Sequence, residues 1–403
     1  MQVELKNNIF WVGFVDWDIR DFHGYQTKRG SSYNSYLIKD EKIAVIDSVK
    51  APFAQNLLDN IAEYTPFDKI DYVVCNHAEP DHSGSIPALM KACVNAELVC
   101  NAKCKETLEM YYDTSGWKFK VIDESTELSL GEYTLTFMNT PMAHWPESMF
   151  TYIPEAKLLF SMDAFGQHYS RSERFDDEVP PGELIQEART YYANIIMLYG
   201  NQIQKVLARA SKLDIDMIAP SHGIIWRKNI PVILDAYNRW SSYQAEPKVL
   251  IFFDSMWHST EKMAAAIYEG AKEVGVSVKK YDLKATHITR IAEETQEAAV
   301  LAVGSPTLNK GMMPKAAEAL TYLKGLSPRN KAGVAFGSYG WAPKGGATDV
   351  HDVLQDMKLD MLRDSPIQCR YVPTPEILEE CRKLGNLAGQ KALEIVAAQS
   401  QSK

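Results

Sequence analysis

Six consecutive residues, His77-Ala78-Glu79-Pro80-Asp81-His82, carry four side chains able to bind a metal ion. They follow directly on Asp71 to Cys75, whose Tyr-Val-Val core predicts a strand. Pro80 forbids a regular helix through the middle, so a tight loop at a strand end aims alternate side chains at one point. Imidazole and carboxylate together are the ligands expected for a borderline transition metal. Three more segments each deliver one polar residue to the end of an expected strand. His144 lies in Met142-Ala143-His144-Trp145-Pro146, Asp163 follows Leu158 to Met162, and His222 follows Met217 to Ala219 with Pro220 and Ser221 between. Taken singly, His222 reads as a satisfied turn histidine more readily than as a ligand, and Asp163 as a turn or cap aspartate. Taken together, ligand-type residues at several strand ends on one side of a sheet make a convergent metal site.

A second set of loops carries different chemistry. Asp254-Ser255-Met256-Trp257-His258-Ser259-Thr260 joins the apolar run Val249 to Phe253 to a helix expected from Glu261. The hydroxyls of Ser255, Ser259 and Thr260, with loop amides and a helix N-terminus, suit a phosphate group. The Gly-x-x-x-x-Gly-Lys pattern of nucleotide triphosphate loops is absent. The segment resembles the phosphate loop of flavodoxins, with His258 at a position often held by glycine. Gly304-Ser305-Pro306-Thr307-Leu308-Asn309 and Phe336-Gly337-Ser338-Tyr339-Gly340-Trp341 follow the next two apolar runs. Each loop alone reads as a Ser/Gly turn with a surface aromatic. Three at successive strand ends predict a flavin mononucleotide (FMN) site, with Trp257, Tyr339 and Trp341 bordering the ring.

These loops need a scaffold, and the chain is long enough for two. Its 403 residues imply two or three units. Short strands are expected at Trp11–Phe14, Ser35–Ile38, Ala44–Asp47 and Tyr133–Asn139, and helices at Pro52–Tyr64 and Ile86–Ala92. Polar residues from Ser241 to Lys248, with Pro247, mark a boundary. Beyond it strand, loop and helix recur at Val249–Phe253, Glu261–Glu273, Val276–Tyr281, Ala298–Val303 and Ala332–Phe336, as in a doubly wound α/β sheet. Residues 1–246 and 247–403 are therefore expected as separate domains, and the tail from Ala397 is expected to fray. Net charge is −11 through Glu246 and +2 beyond it, so no basic footprint points to nucleic acid. No apolar run approaches a membrane span. The first residues lack the form of an export signal, which makes the cytoplasm the expected compartment. Six cysteines with no Cys-x-x-Cys pair exclude a disulfide framework and a Cys-rich zinc or rubredoxin-type iron site.

The metal motif resembles that of the metallo-β-lactamase fold, His-x-His-x-Asp-His followed by distant His, Asp and His, with Glu79 in place of the second histidine. That exchange swaps a neutral nitrogen for a hard anion. Glu79, Asp81 and Asp163 would offset much of the charge of two metal ions and favour iron over zinc. A lactamase-like αββα sandwich followed by a flavodoxin-like doubly wound parallel sheet resembles the flavodiiron proteins along essentially the whole chain. Trp17, Phe22-His23-Gly24, Tyr33-Asn34, Ser172-Glu173-Arg174-Phe175 and Tyr191-Tyr192-Ala193-Asn194 match family segments as well.

The resemblance implies one iron held by His77, Glu79 and His144, a second by Asp81 and His222, and Asp163 bridging them. It leaves His82 open as a ligand. It gives His23 and Tyr192 as pocket residues for a bound gas molecule; both also read as ordinary packing or capping residues. The implied activity is reduction of dioxygen to water, of nitric oxide to nitrous oxide, or both. Dioxygen to water takes four electrons, two from a diferrous centre and two from a reduced flavin; two nitric oxides take two. The resemblance also implies a head-to-tail homodimer, either alone or paired again as a tetramer. The donor is expected to be a separate protein, rubredoxin foremost, with reduced deazaflavin the other possibility. Two rival readings remain at this point, a zinc hydrolase of the lactamase fold with an appended flavodoxin-like domain, and an electron-transfer flavoprotein with a vestigial metal domain.

Overall fold

A computed structural model describes residues 3–401. The chain forms two compact units, Met1–Tyr191 with Asn201–Asn238, and Tyr192–Gly200 with Arg239–Lys403.

The first unit is built on two sheets. Seven strands lie side by side in chain order: Val3–Lys6, Ile9–Trp11, Tyr36–Lys39, Ile43–Ile46, Ile70–Val74, Glu97–Asn101 and Lys118–Ile122. The first four alternate in direction, and from Ile43–Ile46 onward the neighbours run parallel. The second sheet has Glu127–Ser129, Thr134–Asn139, Met149–Ile153, Leu158–Met162 and Met217–Pro220, again in chain order. Ile38, Ile46, Val74 and Val99 from one sheet share a core with Leu135, Phe137, Met149 and Phe160 from the other. The central strands are buried on both faces, which is why they read as continuous apolar runs and not as alternating ones. Helix Ala102–Tyr111 packs on the last two strands of the larger sheet, and Asn101 caps it by accepting from the Cys104 amide at 2.9 Å.

The second unit is a parallel sheet in the order Ser277–Asp282, Glu246–Phe253, Ala298–Gly304, Ala332–Tyr339, with Asp360–Met361 and Ile367–Arg370 both paired to the last of these. The strand that comes first in sequence stands inside the edge, so the winding reverses beside it. Ligands bind at such a switch, beyond the carboxyl ends of the strands. Two helices meet here backbone to backbone. A Cβ on Gly385 of Pro375–Gln401 would stand 2.0 Å from the Ile267 carbonyl of Ser259–Glu273, and one on Gly270 would stand 1.8 Å from that of Arg382. No helix among the described residues is long and apolar enough to cross a membrane.

Local expectations differ from this in three places. The single strand expected at Trp11–Phe14 is two, Ile9–Trp11 and Phe14–Asp16, broken where Gly13 presses on the Tyr33 carbonyl so closely that a Cβ would lie at 2.2 Å. The helix expected at Pro52–Tyr64 starts as a tight turn, Ala51–Phe53, and is α-helical only over Ala54–Ala62. The tail expected to fray at Ala397 stays helical to Gln401, while Ser402 and Lys403 lie outside the described residues.

Candidate metal centre and flavin cavity

The strand Ile70–Val74 ends in the loop that carries His77, Glu79, Asp81 and His82. Pro80 does not merely interrupt a helix. It opens a four-residue helical turn, Pro80–Ser83, as a first-position proline needing no amide partner. The turn sends Asp81 and His82 one way, while His77 and Glu79 in the extended segment before it point another. Leu158–Met162 ends in a left-handed residue, Met162 at φ 44°, which turns Asp163 inward. Met217–Pro220 leads through Ser221 to His222.

Two groups of ligand atoms result. His77, Glu79, His144 and Asp163 form one, and Asp81, His82 and His222 the other, each with its donor atoms within 4.8 Å of one another. Asp163 belongs to both by its two oxygens. Its Oδ2 lies 3.1 Å from His77 Nε2 and 3.3 Å from His144 Nε2. Its Oδ1 lies 3.0 Å from His82 Nε2 and 3.4 Å from His222 Nε2. Glu79 Oε2 sits 3.3 Å from His77 Nε2 and 3.2 Å from His144 Nε2, and Asp81 Oδ2 3.2 Å from His222 Nε2. Asp81 Oδ1, Asp163 Oδ2 and His82 Nε2 are buried without a hydrogen bond. Buried carboxylate oxygens are costly unless a cation faces them, and this donor set fits two metal ions.

Charge and hydrogen bonding hold the ligands in place. Burial opposes a charge on His77, but the carboxylates of Asp163, Glu147 and Glu79 keep its pKa well above the ordinary histidine value. Burial likewise opposes ionisation of Asp163, and the imidazoles of His82, His144 and His77 override it, holding Asp163 well below the usual carboxylate range. Cations in the centre would take over the same role for the carboxylates and require neutral imidazoles. Behind the ligands, His77 Nδ1 meets Glu147 Oε1 at 2.8 Å, and His222 Nδ1 meets the Ser32 carbonyl at 2.7 Å. Each contact leaves Nε2 free to face the centre.

The two expected pocket residues fare differently. His23 Nε2 lies 3.2 Å from Glu79 Oε1 on a side chain 66% exposed. Tyr192 falls in the second unit, fully buried with its ring 5.4 Å from Trp240. The hydroxyl that reaches the cluster is that of the preceding residue: Tyr191 donates to Asp163 Oδ1 at 2.8 Å. A helix ends at Tyr191 and a wider turn begins at Tyr192, and successive residues on a helix point about 100° apart. Sequence reading also missed Glu147 and His168. His168 is buried between Tyr25 Oη (3.2 Å) and Ser31 Oγ (2.8 Å), and its ring packs on that of His222. Burial holds its pKa well below the ordinary histidine value, with the His222 charge adding to the effect.

In the second unit the three loops close around a cavity of about 560 Å³. Its lining includes Met256, Trp257, Ser259, Pro306, Thr307, Leu308, Asn309, Ser338, Tyr339, Gly340 and Trp341. Lys310 and Tyr371 join them, neither read from the sequence. Ser255, His258 and Thr260 do not line it. Ser255 and Thr260 are buried just behind, Thr260 Oγ1 standing 3.4 Å from Ser338 Oγ. His258 faces outward, paired to Glu261 at 2.7 Å. Its φ of 63° explains why glycine suits this position. Gly337 is a required close approach, because a Cβ there would lie 1.9 Å from the Ser305 carbonyl. The buried, unpartnered Thr307 Oγ1 and Ser255 Oγ, and the start of helix Ser259–Glu273, fit a phosphate-bearing ligand. Trp257 and Trp341 stand at the rim, 86% and 88% exposed.

Comparison with known proteins agrees with this geometry. Residues 32–223 match the family described as ODP family beta lactamase, and residues 251–385 match Flavodoxin. The chain is 42% identical over 388 residues to a nitric oxide reductase of Moorella thermoacetica, covering 95% of this chain and 97% of that one. The flavodiiron protein of Giardia intestinalis superposes with a TM-score of 0.97 at 39% identity, over 99% of this chain and 98% of that one. Rubredoxin oxygen:oxidoreductase from Desulfovibrio gigas does so at 0.94 and 37%, over 98% of this chain and all (100%) of that one. With a lactamase-like fold carrying a two-group metal centre, a flavodoxin fold carrying a nucleotide-sized cavity, and relatives matched along nearly their full length, the chain belongs to the flavodiiron protein family.

Proposed function

We propose that this flavodiiron oxidoreductase reduces dioxygen to water, nitric oxide to nitrous oxide, or both, at a non-haem diiron centre supplied with electrons by FMN. The observation that carries the proposal is Asp163, whose two oxygens face two separate groups of ligand atoms. In this reading His77, Glu79 and His144 would hold one iron, Asp81 and His222 the other, and Asp163 would serve both. His82 joins the second group, since its Nε2 stands 3.0 Å from Asp163 Oδ1. Bound there, the irons would supply electrons to the gas and open positions for it, and FMN held by the cavity that Trp257 and Trp341 line would supply further electrons. The protein's own contribution is positional. Glu147 and Ser32 fix the rings of His77 and His222. The Tyr191 hydroxyl holds one oxygen of Asp163 and keeps a proton donor at the centre. His23, exposed and with its Nε2 3.2 Å from Glu79 Oε1, would offer an N–H to a gas molecule bound at that side of the centre.

The hydrolase alternative loses ground to Glu79, a hard ligand, and leaves the flavin cavity without a purpose. The electron donor is proposed to be a separate protein, with rubredoxin the leading candidate and reduced deazaflavin the other. All six cysteines are free and buried, and none pair as Cys-x-x-Cys within these residues. The exposed tryptophans at the flavin rim support a head-to-tail homodimer in which a second copy covers them; sedimentation of an active monomer would refute this. The test of function is metal and flavin analysis followed by anaerobic reduction and separate turnover with each gas. Two irons and one FMN per chain, with consumption of at least one gas, are expected. Zinc without gas consumption would restore the hydrolase.

A further inference from the structure

A run of oxidisable aromatic side chains leads from the back of the metal loop to the protein surface. Ser83, the residue after His82, donates its hydroxyl to the Ala78 carbonyl at 2.7 Å and to that of Glu79 at 3.1 Å. With its proton so committed, Ser83 Oγ accepts from the Tyr112 phenol at 2.9 Å. The Tyr112 ring is 6.1 Å from that of Trp117 and 5.9 Å from that of Tyr111, which is 49% exposed. Tyr111 and Tyr112 end a helix, and Trp117 sits in the turn before the next strand, its amide bonded to the Thr114 carbonyl. Packing alone does not call for three oxidisable rings in a row on a half-exposed corner. Aliphatic side chains would cover the loop as well.

We infer that Tyr112, with Trp117 and Tyr111, forms an exit route by which oxidising equivalents leave an incompletely reduced diiron centre. The inference rests on the dioxygen-reducing reading above. Dioxygen needs four electrons and a diferrous centre supplies two, so a centre that binds dioxygen when no reduced flavin is available is left oxidising. One electron then passes from the Tyr112 phenol to the oxidised centre. The Tyr112 phenolic proton is released to bulk water as its electron departs. Tyr112 is refilled by one electron from Trp117 or Tyr111 and one proton from water, and the outer ring loses its own proton to bulk water. A second such passage meets the second outstanding equivalent. The surface radical is restored by one electron and one proton from a solution thiol. Phenol and indole are the side chains most readily oxidised by one electron apart from thiols, and ring separations near 6 Å permit fast transfer. The ligands, whose oxidation would destroy the site, are thereby spared. Nitric oxide reduction needs only the two electrons of the diferrous centre and leaves nothing to discharge.

The test uses the holoenzyme, reduced at the irons with one two-electron equivalent, mixed with dioxygen in the presence of a nitrone spin trap and then digested for mass spectrometry. Adducts are expected on Trp117 or Tyr111 at several times the yield on Trp17, which is 51% exposed in the same unit and serves as the exposure control. Tyr112→Phe is expected to abolish those adducts and leave nitric oxide turnover unchanged. If that variant does not fold, Trp117→Phe should move the adduct to Tyr111. The same mixing with nitric oxide should give none. Adducts that track exposure alone, or persist in Tyr112→Phe, would overturn the route. So would oxidation appearing instead as a bond between Cys75 and Cys104, whose sulfurs lie 3.6 Å apart. An enzyme that consumes no dioxygen would refute the functional reading; one that consumes it without these adducts would refute only the exit route.

Discussion

Glu147 is the residue whose replacement best tests how the metal centre is held. It is 1% exposed, and one oxygen accepts from His77 Nδ1 at 2.8 Å and from the Ala78 amide at 3.1 Å. Glu147→Gln keeps the shape and an oxygen acceptor but removes the charge. A hydrogen bond to a charged group contributes about 1.5–3 kcal/mol against about 1 for a neutral one. The two weakened contacts therefore cost roughly 1–4 kcal/mol together, about 1.4–2.8 in the middle of that range, one felt at the ring of His77 and the other at the loop that carries it. That is about a 10- to 100-fold loss of affinity at the iron beside Glu79, the range typical of outer partners of metal-bound histidines. The assay is iron retained after dialysis against graded chelator, with FMN absorbance and circular dichroism on the same samples. One iron should leave at lower chelator concentration while FMN and fold remain. Unchanged retention of both irons would refute the claim that Glu147 orients His77, and parallel loss of FMN would mean the variant had damaged the fold.

Asp163→Asn should lose both irons together, not one, because each oxygen serves a different group; metal analysis showing one iron firmly retained would exclude bridging. Glu79→His should weaken iron retention and gas reduction while leaving FMN bound, and loss of FMN would mean the two sites are not modular. His258→Gly relieves a left-handed residue at the flavin loop, worth up to about 1 kcal/mol, against a small loss from an exposed ion pair; FMN affinity should hold and the melting temperature should not fall. Lys331 is buried, its ammonium donating to the Ala298 carbonyl at 2.6 Å, and desolvation lowers its pKa to about 7. The folded state thus disfavours the charged form, a penalty fully present below pH 7 and relieved as pH rises toward the unfolded value near 10.5. Lys331→Met should melt higher than the parent at neutral pH, with the difference shrinking by pH 10; a constant difference would refute the shift.

What could be read from the sequence is what the chain presents in compact form. The loop from His77 to His82 follows a strand of unmistakable composition, and the flavin loops follow three more. Strand ends on one side of a sheet converge whatever the details between them, so those residues could be gathered before any coordinates. The residues missed are those whose partners are remote in sequence. Glu147 acts on His77 across 70 positions, and Tyr191 on Asp163 across 28. Nothing local marks either one, since a buried glutamate and an exposed one look alike in a string of letters. Tyr191 is hard to single out beside Tyr192 for a narrower reason. Two adjacent tyrosines differ only in which way the helix end turns them, and that turn is a change of helical pitch with no signature in composition. Tyr371 escaped because it enters the flavin cavity from a segment beyond the three loops, and Lys310 because it stands one residue past the stretch read as the second loop.

The acidity of the first part takes on a definite meaning in the structure. Of its excess carboxylates, Asp81, Asp163 and Glu147 are at least nine-tenths buried, and Glu79 is 13% exposed at its side chain. Carboxylates so gathered repel one another in a medium that screens poorly. The neighbouring imidazoles can compensate only by binding protons, which would disable them as ligands. A fold that brings these anions together and also holds His77 and His222 by Nδ1, with Nε2 turned inward, is chemically competent only with cations between them. The same reasoning separates this centre from a zinc hydrolase. A neutral histidine in place of Glu79 would lower the charge the metals must balance, and with it the preference for the oxidised ions that a redox cycle has to visit.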